Sequence, residues 1–254
     1  MKFLNYLIPI ISLLLLVSCS TKTKPILRVG VSPDYPPLIF KKDGQITGME
    51  ADFAKALAIE LDMNPKFIEI PFEQTITYLK SGKIDIIMSG MSVTEKRAQE
   101  VNFCDPYFTI SQMLLVRRRE MGNFKKPGKG YYVKSGLIVG VEQNTTGQEM
   151  ARKYLPNNRI KIFKDVNEAS DALRSGKVDC FLHDAPTIWR YTDGTDPQLA
   201  GVYWEFGKEK LAWATSKYNP ELLRKIRRIT QKWQFNGLSA RIVSKWIPQR
   251  VTYK

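Results

Sequence analysis

Two short polar segments hold most of the chemistry this chain can offer: Ser89-Gly90-Met91-Ser92, after the apolar run Ile86-Ile87-Met88, and His183-Asp184, after Cys180-Phe181-Leu182. Hydroxyls, an imidazole, a carboxylate and open backbone suit the capture of a small polar molecule by charge and hydrogen bonds. No nucleophile paired with a base, no metal set and no cofactor motif accompanies them, so binding without covalent chemistry is the expected activity. A single histidine, with no Cys or His pairs at ligand spacing, argues against a zinc site, and neither metal nor cofactor is expected. Two further polar stretches stand near helix starts. Thr94-Glu95-Lys96-Arg97 reads as an N-cap and first helical turn, and Glu142-Gln143-Asn144-Thr145-Thr146-Gly147 as a polar turn ahead of another helix.

A repeat places these segments. Leu79-Lys80-Ser81-Gly82-Lys83-Ile84-Asp85 recurs as Leu173-Arg174-Ser175-Gly176-Lys177-Val178-Asp179, each followed by one of the apolar runs. Each copy reads as an apolar-periodic helix that ends at a glycine, makes a charged turn and becomes a strand buried on both faces of a parallel sheet. Leu27-Arg28-Val29-Gly30-Val31 is echoed in the same way by Leu137-Ile138-Val139-Gly140-Val141. The expected fold class is therefore α/β, with two similar lobes, each a mostly parallel sheet flanked by helices. Ligands of open α/β sheets sit beyond the carboxyl ends of the strands, so the two polar segments face each other across a cleft between the lobes.

Other elements follow from periodicity. Gly48 opens an amphipathic helix with Phe53, Ala54, Leu57, Ala58 and Leu61 on one face, and Ile110 to Val116 is an apolar strand. Basic, glycine-rich sequence up to Gly130 marks a crossing into the second lobe, and Leu211-Ala212-Trp213-Ala214 reads as a strand returning to the first. Two amphipathic helices, split at Asn236-Gly237, close the chain. Lobe one is expected over 26–112 and 208–254, and lobe two over 113–207, with the two crossings forming a hinge.

The N-terminus carries an address. Lys2, the apolar stretch Leu4 to Val17 and a small-residue site make 1–18 a signal peptide, too short to span a bilayer comfortably. Leu16-Val17-Ser18-Cys19 resembles the bacterial lipobox, which implies lipid on the Cys19 sulfur and a tether over 19–25. The expected location is outside the cytoplasmic membrane, in the periplasm or on the cell surface, held there by the lipid. Export argues against nucleic acid as the partner behind the net charge of +14, and the basic residues are spread along the chain. Arg117-Arg118-Arg119 and the run around Arg224 to Arg228 read as solvated faces. Cys104 and Cys180 are expected as free thiols, because a bridge between lobes would lock the cleft.

From Leu27 to Ile247 the sequence resembles the family-3 periplasmic solute-binding proteins, the amino-acid receptors of ABC importers. The residues that carry this are Tyr35-Pro36-Pro37, Gly48-Met49-Glu50-Ala51-Asp52, Ser89-Gly90-Met91-Ser92-Val93-Thr94 with Arg97, Asp105-Pro106-Tyr107, Thr145-Thr146-Gly147 and Lys245-Trp246-Ile247. The resemblance implies a two-lobe binding fold, a monomer, and delivery of ligand to a permease driven by a cytoplasmic ATPase. For an amino-acid zwitterion, Arg97 and the N–H groups of Ser92 and Thr146 would take the carboxylate. Asp184 and the Gly90 carbonyl would take the ammonium. Ser89 and Thr145 flank these groups, and Tyr35 and Phe72 match positions whose rings sandwich the ligand side chain. His183 matches the histidine that meets the side-chain amide in glutamine-binding members.

Two departures bear on the ligand. Ser32 stands where relatives often carry Asp, and Glu142 where a Gln or Lys is usual. A polar ligand is expected, glutamine first and then arginine, lysine or ornithine. Two alternatives share the fold: a secreted cyclohexadienyl dehydratase acting on prephenate or arogenate, for which Glu142 would be the acid, and a ligand-sensing lipoprotein.

Overall fold

The computed structural model describes residues 23–126, 130–131, 133–191 and 196–247. The expected signal peptide at 1–18, Cys19 and all but the last residues of the tether lie outside them. Two five-stranded sheets organise the chain. The first runs β5-β1-β6-β15-β7, from β1 (Ile26–Val31), β5 (Asn64–Glu69), β6 (Ile86–Ile87), β7 (Asn102–Phe103) and β15 (Ala214–Thr215). The second runs β12-β11-β13-β8-β14, from β8 (Phe108–Arg117), β11 (Ile138–Glu142), β12 (Arg159–Phe163), β13 (Cys180–Asp184) and β14 (Leu199–Leu211). In each sheet one strand opposes the rest, and in each it occupies the fourth place: β15 in the first, β8 in the second. Both opposed strands are the segment that has just arrived from the other lobe.

The repeat is repeated in its hydrogen bonds. Helix α2 (Thr75–Lys80) and helix α5 (Val166–Arg174) are each followed by a glycine in the left-handed region, Gly82 at φ 70° and Gly176 at φ 74°. The aspartate ending each copy then clamps its lobe's first strand. Asp85 accepts the Arg28 N–H at 2.8 Å, and Asp179 accepts the Ile138 N–H at 2.7 Å. Buried Leu27, Val29 and Val31 on β1 and Val139 and Val141 on β11 supply the apolar contact. In lobe one, α1 (Met49–Glu60), α7 (Pro220–Phe235) and α8 (Leu238–Trp246) cover the sheet, and Phe53, Trp213 and Trp233 pack into one core. The expected face of α1 is buried, with Leu61 only partly so.

Two expectations about the crossings change. The chain leaves the first sheet over Cys104–Tyr107, well before the basic stretch, because the Ile110 to Val116 run is not a lobe-one strand. It lies between β13 and β14, which pair both of its edges, and Gln112 to Arg117 are buried on both faces. The return is also divided: β14 ends at Leu211, Ala212 and Trp213 cross, and only Ala214–Thr215 pairs in the first sheet. The crossings are hydrogen-bonded to each other, Cys104 N–H to the Trp213 carbonyl at 2.8 Å and Tyr107 N–H to the Leu211 carbonyl at 3.0 Å. Cys104 and Cys180 are free and buried, and burial pushes the Cys104 thiol up to about 12.

Candidate functional site

The carboxyl ends of the parallel strands of both sheets converge on one cavity. After β1 come Ser32, Asp34 and Tyr35; after β5, Phe72; after β6, Ser89, Gly90 and Ser92, with Arg97 on helix α3 (Glu95–Ala98). The second lobe contributes Glu142 at the end of β11, Thr145 and Thr146 at the start of α4 (Thr146–Tyr154), and His183 and Asp184 at the end of β13. All twelve residues expected at a ligand site line this cavity. Asp34, Val166 and Thr187 line it too and were not expected.

Arg97 is set by local chemistry. Thr94 caps α3, its hydroxyl oxygen accepting the Arg97 N–H at 3.2 Å. The guanidinium then donates to the Ser92 carbonyl at 2.9 Å and, across the cleft, to the Asn144 carbonyl at 3.2 Å, while facing the Phe72 ring at 5.2 Å. Phe72 thus supports the guanidinium by a cation–π contact as well as lining the cavity. Burial lowers the Arg97 pKa, and the charges of Asp184, Glu149 and Glu209 work against the fall. Thr145 caps α4, its hydroxyl oxygen accepting the Gln148 N–H at 3.4 Å, and Thr145 and Thr146 line the same cavity.

Asp184 joins the lobes. The Tyr35 hydroxyl donates to its Oδ2 at 2.5 Å, and the Gln112 amide, from β8, donates to its Oδ1. Tyr35 is in turn packed against Gly90, where φ is +65° and a Cβ would fall 2.5 Å from the Tyr35 ring. Glycine is required there both for its backbone angle and for the space. The Gly90 N–H donates to Glu50 Oε1 at 2.7 Å. Glu50, fully buried on α1, also accepts from the Tyr107 hydroxyl at 2.5 Å and from Trp213 Nε1 at 2.7 Å. One carboxylate therefore ties the Ser89–Ser92 loop to both crossings, and burial pushes it up to about 7 against the pull of its three donors.

The other end of the cavity is acidic. His183 Nε2 meets Glu142 Oε2 at 2.8 Å, the histidine buried and the glutamate partly exposed, and Asp34 stands nearby. Burial draws the imidazole down, but the bond with Glu142 and the Asp184, Glu142 and Asp34 charges outweigh it, leaving His183 above its ordinary value. Burial likewise raises Glu142, with His183 opposing the rise. His183 Nδ1 and the Thr187 hydroxyl, both buried, have no hydrogen-bond partner. Among the described residues, no three of His, Cys, Asp and Glu are grouped to hold a metal ion.

Residues 27–249 match the bacterial extracellular solute-binding proteins, family 3. The chain belongs to this family. A probable histidine-binding protein of Campylobacter jejuni is 32% identical to this family-3 protein over 228 residues, 85% of this chain and 86% of the relative. Among solved structures, an ancestral arginine-binding protein bound to arginine is 32% identical, with a TM-score of 0.79 over 89% of this chain and 99% of the other. An ancestral amino-acid-binding protein, described as a precursor of cyclohexadienyl dehydratase, is 33% identical with a TM-score of 0.78, over 87% and 94%. The two-lobe fold of such binding proteins is the fold of this family-3 chain.

Sequence reasoning missed Asp34, Glu50, Gln112 and Glu209. Glu50 had a readable signal, since it lies three, four and seven residues before Phe53, Ala54 and Leu57 and so shares their buried face. Gln112 and Glu209 had none, because only the pairing of β8 with β13 and of β14 with β8 brings them to Asp184.

Proposed function

We propose that this protein is the capture component of an amino-acid importer and that its ligand is an L-amino acid with a cationic side chain, arginine, lysine or histidine, ahead of glutamine. The observation that carries the side-chain preference is the charge of the cavity wall. Asp34, Glu142 and Asp184 face Arg97 and His183, so the lining is two negative charges in excess with the imidazole neutral and one with it protonated, in a chain whose net charge is +14. A zwitterion would pair its carboxylate with Arg97 and the first turn of α4, and its ammonium with Asp184 and the Gly90 carbonyl. Those pairings leave Asp34 and Glu142 as partners for a cation between Tyr35 and Phe72. Asp34 supplies the carboxylate that Ser32 does not.

Because donors come from both lobes, only a closed cleft satisfies the ligand. Each charge-assisted hydrogen bond is worth about 1.5 to 3 kcal/mol, which favours closure when several form together. Lipidation at Cys19, export, membrane tethering and delivery to a permease with a cytoplasmic ATPase complete the proposal, supported by the signal-like sequence of 1–19 and by membership of the family. The precursor relative keeps a dehydratase reading in view, with Glu142 as acid; its pairing with His183 is what favours a binding role instead.

Thermal unfolding tests the proposal. Protein unfolded and refolded to strip carried-over ligand is scanned against the common amino acids, ornithine and prephenate. A ligand at a hundredfold excess over its Kd adds about 2.7 kcal/mol, which for a chain of this size raises the midpoint by about 5 to 10 °C. A shift with arginine, lysine or histidine and a smaller one with glutamine is the expected result. A larger shift with glutamine overturns the side-chain assignment, and turnover of prephenate overturns the binding role.

A further inference from the structure

We infer that Glu209 is a proton-binding site coupled to ligand capture: when the cleft closes on an amino acid, this carboxylate takes a proton from solvent, so that ligand and proton are bound together. The inference rests on the zwitterion reading of the site given above.

The geometry behind it is one amide between two carboxylates. Gln112 Nε2 donates to Glu209 Oε1 at 2.8 Å and also to Asp184 Oδ1. Glu209 is 8% exposed, and its Oε2 has no hydrogen-bond partner; neither has Gln112 Oε1. Asp184 has a donor on each oxygen, Gln112 and Tyr35, whereas Glu209 has one donor in all. A buried carboxylate oxygen without a donor is costly while ionised and much less so once protonated.

The charges around Glu209 point the same way. Asp184 faces it from β13, Tyr35 from the turn after β1, Arg97 from α3, and the Ser92 and Thr146 hydroxyls from the two cleft-lining segments, close enough to pull its carboxyl down. Glu149 and Lys153 of α4 share a surface pocket with it and offset each other. On its own strand Lys208 and Lys210 are exposed, on the opposite face. Arg97 is thus the cation within the cleft that both Asp184 and Glu209 feel. A bound zwitterion claims Arg97 with its carboxylate and Asp184 with its ammonium, and it brings its carboxylate beside Ser92 and Thr146. Glu209 is then left as an uncompensated negative charge next to another. Burial and the Asp184 charge already hold its carboxyl above the usual range, with Thr146, Ser92 and Gln112 opposing the rise.

The sign follows from linkage. A group whose pKa is higher in the complex than in the free protein takes up a proton on binding, so affinity rises as pH falls through that interval, by at most about tenfold per pH unit for one proton. The experiment is calorimetric titration of L-arginine into the wild-type protein and the Glu209→Gln variant, in two buffers of different ionisation enthalpy, at several pH values between about 5.5 and 8. The wild type is expected to take up a larger fraction of a proton than Glu209→Gln, and to show a steeper gain of affinity toward low pH. Subtracting the variant removes the contribution of the His183–Glu142 pair. Equal proton uptake and equal slopes in the two proteins overturn the inference while leaving the binding function intact. If Glu209→Gln does not fold, Glu209→Asp takes its place. It keeps an acid at a shorter reach and is expected to retain the slope in a shifted pH window; wild-type heats independent of buffer across the whole range overturn the inference without any variant. No heat with arginine, lysine, histidine or glutamine removes the amino-acid reading, and this inference with it.

Discussion

Replacing Gly90 by alanine separates the stability of the fold from the stability of the closed cleft, and the structure gives a magnitude for each. At φ +65° an alanine pays about 1 to 2 kcal/mol in backbone strain. That cost falls on the folded protein whether the cleft is open or closed. The added methyl would lie 2.5 Å from Tyr35 Cε1 and 2.7 Å from Cδ1, so the ring must move. The moving ring takes the Tyr35 hydroxyl away from Asp184, a hydrogen bond to a charged acceptor worth about 1.5 to 3 kcal/mol. Since Tyr35 and Asp184 belong to different lobes, this second cost falls on the closed form and appears as lost affinity, about 10- to 100-fold. Urea unfolding without ligand reads the first term and titration calorimetry the second. Tyr35→Phe serves as comparator because it removes the hydroxyl without strain. Gly90→Ala/Tyr35→Phe is expected to bind about as weakly as Gly90→Ala alone, since both changes break one bond. Binding by Gly90→Ala within about twofold of wild type, or simple addition of the two losses, would refute the reasoning.

The chain's single histidine makes its titration readable by NMR: His183 is expected to titrate above its ordinary value, and Glu142→Gln to lower it, because burial stays while the hydrogen bond and one of three neighbouring charges are lost. The stability His183 contributes is full below its unfolded pKa of about 6.5 and is lost as pH rises through the raised folded value, which urea midpoints against pH will show. Arg97→Lys, with a single ammonium in place of a fork that spans the Ser92 and Asn144 carbonyls, is expected to weaken amino-acid binding at least tenfold by calorimetry. Glu50→Ala leaves the Gly90 N–H, the Tyr107 hydroxyl and Trp213 Nε1 without their acceptor, for an expected loss of about 3 kcal/mol or more in denaturant unfolding. With the Glu50 carboxyl at about 7, the folded protein holds that proton more tightly than the unfolded chain. Wild-type stability should therefore decline as pH rises from about 4.5 to 7, and Glu50→Gln should flatten the decline.

Much of this was legible because it is local. The copies around Gly82 and Gly176 each needed only one helix, one turn and one buried strand to be read, and the cleft follows from where those strands end. Asp85 and Asp179 look like turn residues in the sequence, yet each clamps the first strand of its lobe. What escaped was non-local. The Ile110 to Val116 run has the composition of a buried strand, but nothing in it says that its neighbours are residues 180–184 and 199–211. For the same reason Gln112 and Glu209 are silent until β13, β8 and β14 line up side by side. Asp34 stands in Ser32-Pro33-Asp34, whose composition is that of a turn, a common use of aspartate that conceals its place on the cavity wall.

The contrast between an acid-lined cavity and a strongly basic body has a kinetic side. A cation approaching from solution meets the summed field of a chain with net charge +14 long before it meets Asp34, Glu142 and Asp184. The Debye length is about 8 Å at physiological ionic strength, so added salt shortens the reach of the repulsive outer field more than it weakens contacts inside a closed cleft. Arrival should therefore speed up with salt, the reverse of ordinary electrostatic steering, while the time a captured ligand stays is governed by the enclosed carboxylates. In such a molecule tight binding would come from slow release rather than fast arrival.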